Sequence, residues 1–343
     1  MKWPLPLLLW LACAMAWAGQ APGPPTGLQE AVVFSQYGDL SSSTELARRL
    51  VSPLNAWRLQ RRAAATGASI REQPVDLSQE RFALYVPAHM PAEGYGLLVF
   101  VPPWDEAKIP AAWMPVLDRL GVILVTAARS GNEADLIDRR EPLALLAAHN
   151  VTGEYRVDPQ RIYVGGFSGG ARVALRLALG YPDLFHGALL DAGSDAIGVQ
   201  IPPPPRELFE RFQDDTRVVY LTGEEDRFHQ GTDRQSRQAL KSWCVTDIDV
   251  LDMPHTGHEL ADAAAFGRAL ASLDARVPRD AGQLADCRAH VDHALNAALD
   301  QVQAQFGGGK IDEARRQLDG IDTHFGGLAA PRSVELAARL EQP

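Results

Sequence analysis

The chain has 343 residues, of which 46% are hydrophobic and 22% are charged, so it can form one large α/β domain and a smaller additional segment. Its formal net charge is −10 at pH 7, and the sequence contains no basic block interleaved with aromatic residues. This charge pattern argues against a nucleic acid as a partner.

The N-terminus has the features of a secretory signal. Lys2 precedes an apolar run at residues 4–18 that ends in Ala-Trp-Ala, so we expect cleavage after Ala18. The protein is therefore predicted to be secreted or periplasmic. Lipid attachment at Cys13 is less favoured, because Trp10 stands where a lipoprotein signal has an aliphatic residue. The run is too short to span a bilayer, and no later run reaches that length, so no stable membrane insertion is expected.

Residues 19–75 are predicted to form an N-terminal arm and helices. The first part of this segment, up to about residue 45, is rich in Gly, Pro and Ser. Helical stretches are predicted at 43–50 and 54–65. The strand signals of the chain begin after these helical stretches.

Residues 76–276 are predicted to be the catalytic domain. Seven short apolar or β-branched runs predict strands at 82–86, 97–101, 122–125, 162–164, 188–190, 218–221 and 248–251. Helical segments lie between most of them, at 110–120, 138–149, 168–179, 233–243 and 258–274. Continuous apolar strands that alternate with helices indicate a mostly parallel sheet that helices cover on both faces.

Residues 280–343 are predicted to be a helical C-terminal appendage. The chain becomes alanine-rich after a polar break at 276–280, with helices expected at 284–306, 311–321 and 334–340. Apolar residues recur on one helix face, which favours docking on the main domain over a free linker. These helices could also present a surface to a protein partner.

The motif with the strongest chemical meaning is Gly-Phe-Ser-Gly-Gly at 166–170. It follows the predicted strand at 162–164 and precedes the predicted helix at 168–179. A strand, a Gly-x-Ser-x-Gly turn and a helix form the context of a nucleophile elbow, in which the serine stands on a turn too tight for neighbouring side chains. The N-terminus of the following helix offers backbone N–H groups to a developing oxyanion. Ser168 is therefore the candidate nucleophile.

A serine nucleophile needs a base, and the base needs a carboxylate to orient it. Candidate acids follow the strand at 218–221, and candidate bases follow the strand at 248–251. Because loops at the same end of a parallel sheet meet, these segments are expected near Ser168. The acids are Glu224, Glu225 and Asp226, with Asp191 as an alternative from the neighbouring strand, and the bases are His255 and His258.

These segments resemble the α/β-hydrolase superfamily. The elbow, the Val-Asp-Pro-Gln-Arg-Ile-Tyr run at 157–163 and the Gly-His pair at 257–258 are similar to secreted esterases of the polyhydroxybutyrate-depolymerase and feruloyl-esterase kind. The resemblance covers about residues 80–275. It implies an α/β-hydrolase fold in which Ser168 is the nucleophile, Asp226 the orienting acid and His258 the base.

The resemblance also implies an oxyanion hole with two donors. The backbone N–H of Gly169 should be the first, and the loop after the strand at 97–101 should supply the second. Members of the family have His-Gly in that loop, whereas this chain has Pro102 and Pro103, which lack an N–H. The second donor is therefore assigned to Trp104, with Asp105 as the alternative.

Other segments receive weaker predictions. The loop at 129–132 could line the site, although a plain polar loop is favoured, and the four-proline run at 202–205 is interpreted as a stiff rim over the site. His290 and His293 are interpreted as a surface pair. Four aromatic residues could form an apolar pocket: Trp104, Trp113, Phe167 and Phe228.

Two cysteines, Cys244 and Cys287, remain after the predicted signal. An exported chain meets an oxidising compartment, so a disulfide is favoured over two free thiols. The bond would fasten the appendage to the catalytic domain.

The predicted function is an exported serine hydrolase that cleaves a carboxylic ester through an acyl-enzyme. The substrate is a small or polymeric ester, and neither a metal nor an organic cofactor is implied. The alternatives are a secreted serine peptidase and a non-catalytic binding protein with the same fold.

Overall fold

The computed structural model describes residues 24–69, 71–275 and 277–341. The predicted signal peptide and Cys13 lie outside these residues. Eight strands form one sheet: β1 (Gly27–Val32), β2 (Phe82–Val86), β3 (Tyr95–Val101), β4 (Val122–Ala127), β5 (Val157–Phe167), β6 (Gly187–Asp191), β7 (Arg217–Gly223) and β8 (Ile248–Met253).

The strands lie in the order β1-β2-β4-β3-β5-β6-β7-β8. β2 runs antiparallel to both of its neighbours, and the six strands from β4 to β8 are parallel to one another. The mostly parallel sheet that the sequence predicts is thus confirmed. The carboxyl ends of β3 and of β5 to β8 open on one edge, where the loops after these strands can form a site.

Eleven α-helices occur among the described residues: α1 (Ser43–Leu50), α2 (Pro53–Thr66), α3 (Met114–Leu120), α4 (Glu141–Glu154), α5 (Gly169–Gly180), α6 (Arg206–Asp215), α7 (Arg227–Ser242), α8 (Ala263–Asp274), α9 (Ala281–Gly307), α10 (Ile311–Phe325) and α11 (Arg332–Leu340). None of the helices within the described ranges is both long and apolar enough to cross a membrane.

The core has two layers because successive strand residues point to opposite faces of the sheet. In β3, Leu97 and Val99 belong to the layer that includes α4 and α5. Leu98 and Phe100 belong to the layer under α3 and α8. All seven residues of β3 are buried, which explains why this strand reads as a continuous apolar run rather than as an alternating one.

Strand β1 was not expected from the sequence. It pairs antiparallel with β2 at the edge of the sheet, within the segment that was predicted to hold an arm and helices. Most of its residues are only partly buried or exposed, and Leu28 is 44% exposed. An edge strand that contributes little to the core does not need an apolar run, so the pattern that reveals the other strands is missing here.

The C-terminal helices pack on the main domain as the apolar spacing predicts. Asp322 of α10 accepts hydrogen bonds from Ser52 Oγ at 2.5 Å and from Leu54 N at 3.0 Å, which satisfies a donor at the start of α2. Arg288 of α9 donates to Gln213 Oε1 at 2.6 Å. The predicted disulfide joins Cys244, just after α7, to Cys287 in α9, with the two Cα atoms 5.8 Å apart.

The four-proline run does not form a rim over the site, so that prediction is wrong. Pro202 and Pro204 line a small cavity with Leu179 and Gly180, at the end of α5 opposite to Ser168. The carbonyl of Pro203 accepts a hydrogen bond from Gly327 N at 2.7 Å in the appendage. The stiff extended run therefore serves as a platform for the appendage.

Candidate active site

Ser168 stands on a strained turn between β5 and α5. Its backbone has φ 54° and ψ −119°, a conformation that residues other than glycine rarely adopt. Gly166 has no room for a Cβ, which would lie 2.7 Å from Ala171 N and overlap Gly170. A Cβ at Gly170 would overlap the Val101 carbonyl. The glycines are therefore required by close packing, and they let the serine project at the carboxyl edge of the sheet.

The structure brings the three predicted triad residues together. His258 Nε2 lies 3.0 Å from Ser168 Oγ, and His258 Nδ1 lies 2.7 Å from Asp226 Oδ2. Asp226 is buried and begins α7, whereas His258 lies in the loop between β8 and α8 with 38% of its side chain exposed. These distances allow a proton to move from the hydroxyl to the imidazole while the carboxylate holds the ring.

The other candidate acids and bases are placed elsewhere. His255 is exposed with φ 56°, and its backbone N donates to Glu224 Oε2 at 3.3 Å. Glu225 uses its backbone N to bind the carbonyl of Thr256 at 2.9 Å. Asp226 and His258 are thus the members of their segments whose side chains meet at the serine.

His229 is a site residue that the sequence analysis missed. Its Nδ1 lies 2.8 Å from Asp226 Oδ2 and 3.0 Å from Oδ1, and its ring stacks on His258 with centroids 4.1 Å apart. Its position three residues after Asp226, on the first turn of α7, is the signal that could have revealed it, because residues three apart on a helix are neighbours. One carboxylate therefore serves two histidines.

The two histidines determine the charge state of Asp226. Burial raises the pKa of this carboxyl, but hydrogen bonds from His229 and His258 outweigh burial and lower the pKa below its usual value. Asp226 is therefore ionised over the whole neutral range and can stabilise an imidazolium on His258. Asp226, His229 and His258 each offer a ligand atom within 4.8 Å of the others, but Asp226 Oδ2 and the Nδ1 atoms of both histidines form the hydrogen bonds just described.

Asp191, the alternative acid, binds the backbone on both sides of the site. Its carbonyl accepts a hydrogen bond from Ser168 N at 2.8 Å, and its Oδ2 accepts one from Ala261 N at 3.0 Å in the loop that carries His258. Its Oδ1 is buried without a hydrogen-bond partner. Burial, together with the nearby charge of Asp233, raises the pKa of Asp191 well above its usual value.

Asp191→Asn is expected to stabilise the fold at neutral pH without abolishing activity. When folding raises the pKa of a carboxyl group, the free energy of unfolding falls as pH increases from the unfolded-state pKa towards the folded-state pKa. The gain in melting temperature over the wild type should therefore grow as pH rises above about 4, the ordinary range of an aspartate pKa, which thermal unfolding at several pH values would measure. Loss of ester hydrolysis in a folded variant would instead show that the Asp191 carboxylate is needed to position the loop that carries His258.

The loop after β3 passes beside the elbow. The ring of Trp104 lies near Phe167, with centroids 6.3 Å apart, so this predicted donor residue is adjacent to Ser168. The Asp105 side chain binds the neighbouring loop, because its Oδ1 accepts a hydrogen bond from Gly131 N at 3.1 Å. The assignment of the oxyanion donors to Gly169 N and Trp104 N stays a prediction.

The aromatic candidates divide into two groups. Phe167 stacks on His258 with centroids 4.9 Å apart, and Phe228 is 67% exposed beside His229. Trp113 is 1% exposed in the core, where its indole Nε1 donates to the Ala261 carbonyl at 2.8 Å. Trp113 therefore holds the loop of His258 and cannot line a substrate pocket.

His290 and His293 are both exposed on α9. They lie in the appendage, and neither contributes to the hydrogen-bonded group of Asp226, His229 and His258. The sequence interpretation as a surface pair stands.

The strand order, the antiparallel β2 and the serine on a strained turn between β5 and α5 together identify the architecture. The chain has the α/β-hydrolase fold. Asp226 follows β7 and His258 follows β8, so these residues occur in the chain order Ser, Asp, His that this fold uses.

Comparison with known sequences gives one short match. No family model matches the chain. The chain is 47% identical over 58 residues to the curated protein "Putative esterase NocK" of Nocardia uniformis subsp. tsuyamanensis. The matched segment is 17% of this chain and 15% of that protein, so the chain spans only a small part of this relative.

Several solved structures are similar to the chain at low identity. The poly(3-hydroxybutyrate) depolymerase LpqC from Bordetella parapertussis is 16% identical, with 61% of this chain and 88% of that chain covered and a TM-score of 0.41. A ferulic acid esterase is 18% identical, with 56% and 88% covered and a TM-score of 0.40. A "putative dipeptidyl aminopeptidase IV" from Bacteroides ovatus is 16% identical, with 56% and 33% covered and a TM-score of 0.41.

The first two of these structures are of the kinds that the sequence motifs resemble. The chain covers only a third of the length of the Bacteroides ovatus structure, 33%. The fold itself is established by the strand order and the elbow, independently of these likenesses.

Proposed function

We propose that the chain is an exported serine hydrolase that cleaves carboxylic esters through Ser168, His258 and Asp226. The observation that carries this proposal is the unbroken hydrogen-bond chain from Ser168 Oγ through the His258 ring to Asp226. The short match to a protein named as an esterase supports an ester as the substrate.

In the first half of the reaction, Ser168 Oγ attacks the carbonyl carbon of the ester while its proton passes to His258 Nε2. The carbonyl oxygen becomes an oxyanion beside the N-terminus of α5, where the backbone N–H of Gly169 can donate to it. Asp226 stabilises the positive charge on His258. Collapse of the tetrahedral species breaks the ester C–O bond, and His258 returns its proton to the departing alcohol, which leaves an acyl group on Ser168.

In the second half, a water molecule replaces the alcohol. His258 takes a proton from this water as the water oxygen attacks the acyl carbon. The C–O bond to Ser168 then breaks, the proton returns to Ser168 Oγ, and the carboxylic acid departs. The sum is one ester and one water converted to one acid and one alcohol, with the enzyme restored.

Export is part of the proposal. The signal-like N-terminus motivates it, and the bond between Cys244 and Cys287 supports it, because structural disulfides form in oxidising compartments. Recovery of the mature protein from the periplasm or medium, with a new N-terminus after Ala18, is the expected result.

A fluorophosphonate probe tests the proposal, because labelling requires both an activated serine and an oxyanion hole. We expect the wild-type protein to be labelled at Ser168 and the Ser168→Ala variant to remain unlabelled. Turnover of a short p-nitrophenyl ester that greatly exceeds cleavage of peptide substrates would distinguish an esterase from a peptidase. A folded wild-type protein that neither reacts with the probe nor hydrolyses any ester would contradict the proposal and favour a binding protein.

A further inference from the structure

The side chain of Asn132 lies against the nucleophile elbow. A Cβ at Gly169 would overlap Asn132 Oδ1 and would lie 2.9 Å from its Cγ and 3.2 Å from its Nδ2. The Asn132 carboxamide thus fills the space that any side chain after the nucleophile would occupy. Gly169 is also the residue whose backbone N–H is assigned to the oxyanion. The amide of Asn132 is therefore close to the place where negative charge develops.

The loop that carries Asn132 is fastened to the loop after β3. Asn132 N donates to the Pro103 carbonyl at 3.1 Å, and Arg129 N donates to the Asp105 carbonyl at 2.6 Å. Gly131 N donates to the Asp105 side chain. These bonds fix the backbone of the loop, so the Asn132 side chain starts from a fixed position beside the elbow. A donor that starts close to the oxyanion needs little reorganisation when charge appears.

Arg140 adds a second connection from beneath the two loops. It is buried, with Nε donating to the Ser130 carbonyl and Nη2 donating to the Pro102 carbonyl, both at 2.9 Å. One rigid guanidinium therefore fixes both loops relative to each other. The same loops surround the elbow, because Gly170 packs on Val101 and Gly169 packs on Asn132.

Two prolines stand where a hydrolase of this kind usually offers backbone donors, and a side-chain amide can replace such a donor. An asparagine carboxamide carries two N–H groups, and rotation about its last torsion exchanges its N and O ends without moving the group. Asn132 is exposed rather than buried in the protein. Its N–H groups are thus accessible to a substrate.

From this arrangement we propose that Asn132 is a catalytic residue that donates a hydrogen bond to the oxyanion through Nδ2, together with the backbone N–H of Gly169. This inference rests on the proposed ester hydrolysis and adds a donor that the sequence analysis did not assign. In this proposal the second donor comes from the loop after β4 and replaces Trp104 N, the donor that the sequence predicts in the loop after β3.

The central experiment compares Asn132→Ala and Asn132→Leu with the wild type in hydrolysis of a p-nitrophenyl ester. Loss of one oxyanion donor lowers kcat by roughly 10²- to 10³-fold, so we expect a decrease of that size with KM changed by less than about threefold. Affinity for an alkyl boronic acid, which forms a tetrahedral adduct with the serine, should fall with kcat. Glu133→Gln, an exposed neighbour in the same loop, is the matched control and should retain wild-type rates.

A second variant keeps the test independent of folding defects at position 132. Gly169→Ala leaves the backbone N–H in place but introduces a methyl group into the space of the Asn132 carboxamide. The Gly169→Ala substitution should lower kcat for ester hydrolysis when it is made in the wild type. It should lower kcat much less when it is made in Asn132→Ala, because the donor that the methyl group displaces is already absent.

The outcomes separate this proposal from the proposed function. If the wild-type protein reacts with a fluorophosphonate and the Asn132→Leu variant has the wild-type kcat, the role of Asn132 is overturned and the proposed serine hydrolase is retained. Independent, additive effects of the 132 and 169 substitutions also overturn it. A wild-type protein that is folded yet never labelled at Ser168 overturns both.

Discussion

Ser168→Ala and His258→Ala are each expected to lower hydrolysis of a short p-nitrophenyl ester by roughly 10³-fold or more. The serine variant loses the nucleophile, and the histidine variant loses the base that lies 3.0 Å from the hydroxyl. Initial rates of purified variants, checked for folding by circular dichroism, measure the effect. The double variant should be no slower than either single variant, because the residues act as one unit.

His255→Ala is the matched control for the histidine variant. His255 lies on the same loop and is exposed, with no side-chain contact to Asp226 among the described hydrogen bonds. Its rate should equal that of the wild type. If His255→Ala is inactive while His258→Ala retains activity, the base has been assigned to the wrong histidine, and a fully active Ser168→Ala would refute the serine mechanism.

The sequence predicts those parts of the structure that depend on local chemistry. Strands buried on both faces, such as β3, must be continuous apolar runs, and the elbow needs glycine at 166 and 170 because no Cβ fits there. The order of Ser168, Asp226 and His258 along the chain then limits which loops can meet. The side chains of these three residues lie within hydrogen-bond distance of one another along the chain Ser168, His258, Asp226.

Features that depend on long-range packing could not be predicted. Helix α8 begins at Ala263 rather than near residue 258, because Asp191 and Trp113 hold the Ala261 backbone in a loop that presents His258. The proximity of Asn132 to Gly169 depends on how two loops from different strands are fastened, which no spacing along the chain reveals.

The structure also changes the meaning of two sequence features. Asp105 is the alternative oxyanion donor in the sequence analysis, but in the structure its carboxylate accepts a hydrogen bond from Gly131 N and helps to fix the loop of Asn132. The four-proline run is predicted from the sequence to be a stiff rim over the site, but it contacts the appendage through Gly327. In both cases the role of the feature follows from the group to which it is hydrogen-bonded, which the sequence does not show.

Removal of the disulfide is expected to lower the free energy of unfolding by up to about 4 kcal/mol, because the unfolded chain loses a cross-link. Cys244 and Cys287 are separated by 43 residues, and a loop of this length sets the size of the entropic effect. Cys244→Ser combined with Cys287→Ser is the suitable variant. Cys244 has φ 65°, and serine keeps the same backbone strain, so this contribution changes little in the comparison.

Denaturant unfolding of the wild type and the double variant, each with and without reductant, measures this effect. Reductant should destabilise the wild type and leave the double variant unchanged. Activity should survive in both, because the bond joins α7 to the appendage, and Arg288 and Asp322 still hold the appendage by hydrogen bonds. Limited proteolysis should release the appendage sooner from the double variant. A wild-type protein recovered from the periplasm with two free thiols, or an equal response of both proteins to reductant, would show that the cross-link does not stabilise the exported protein.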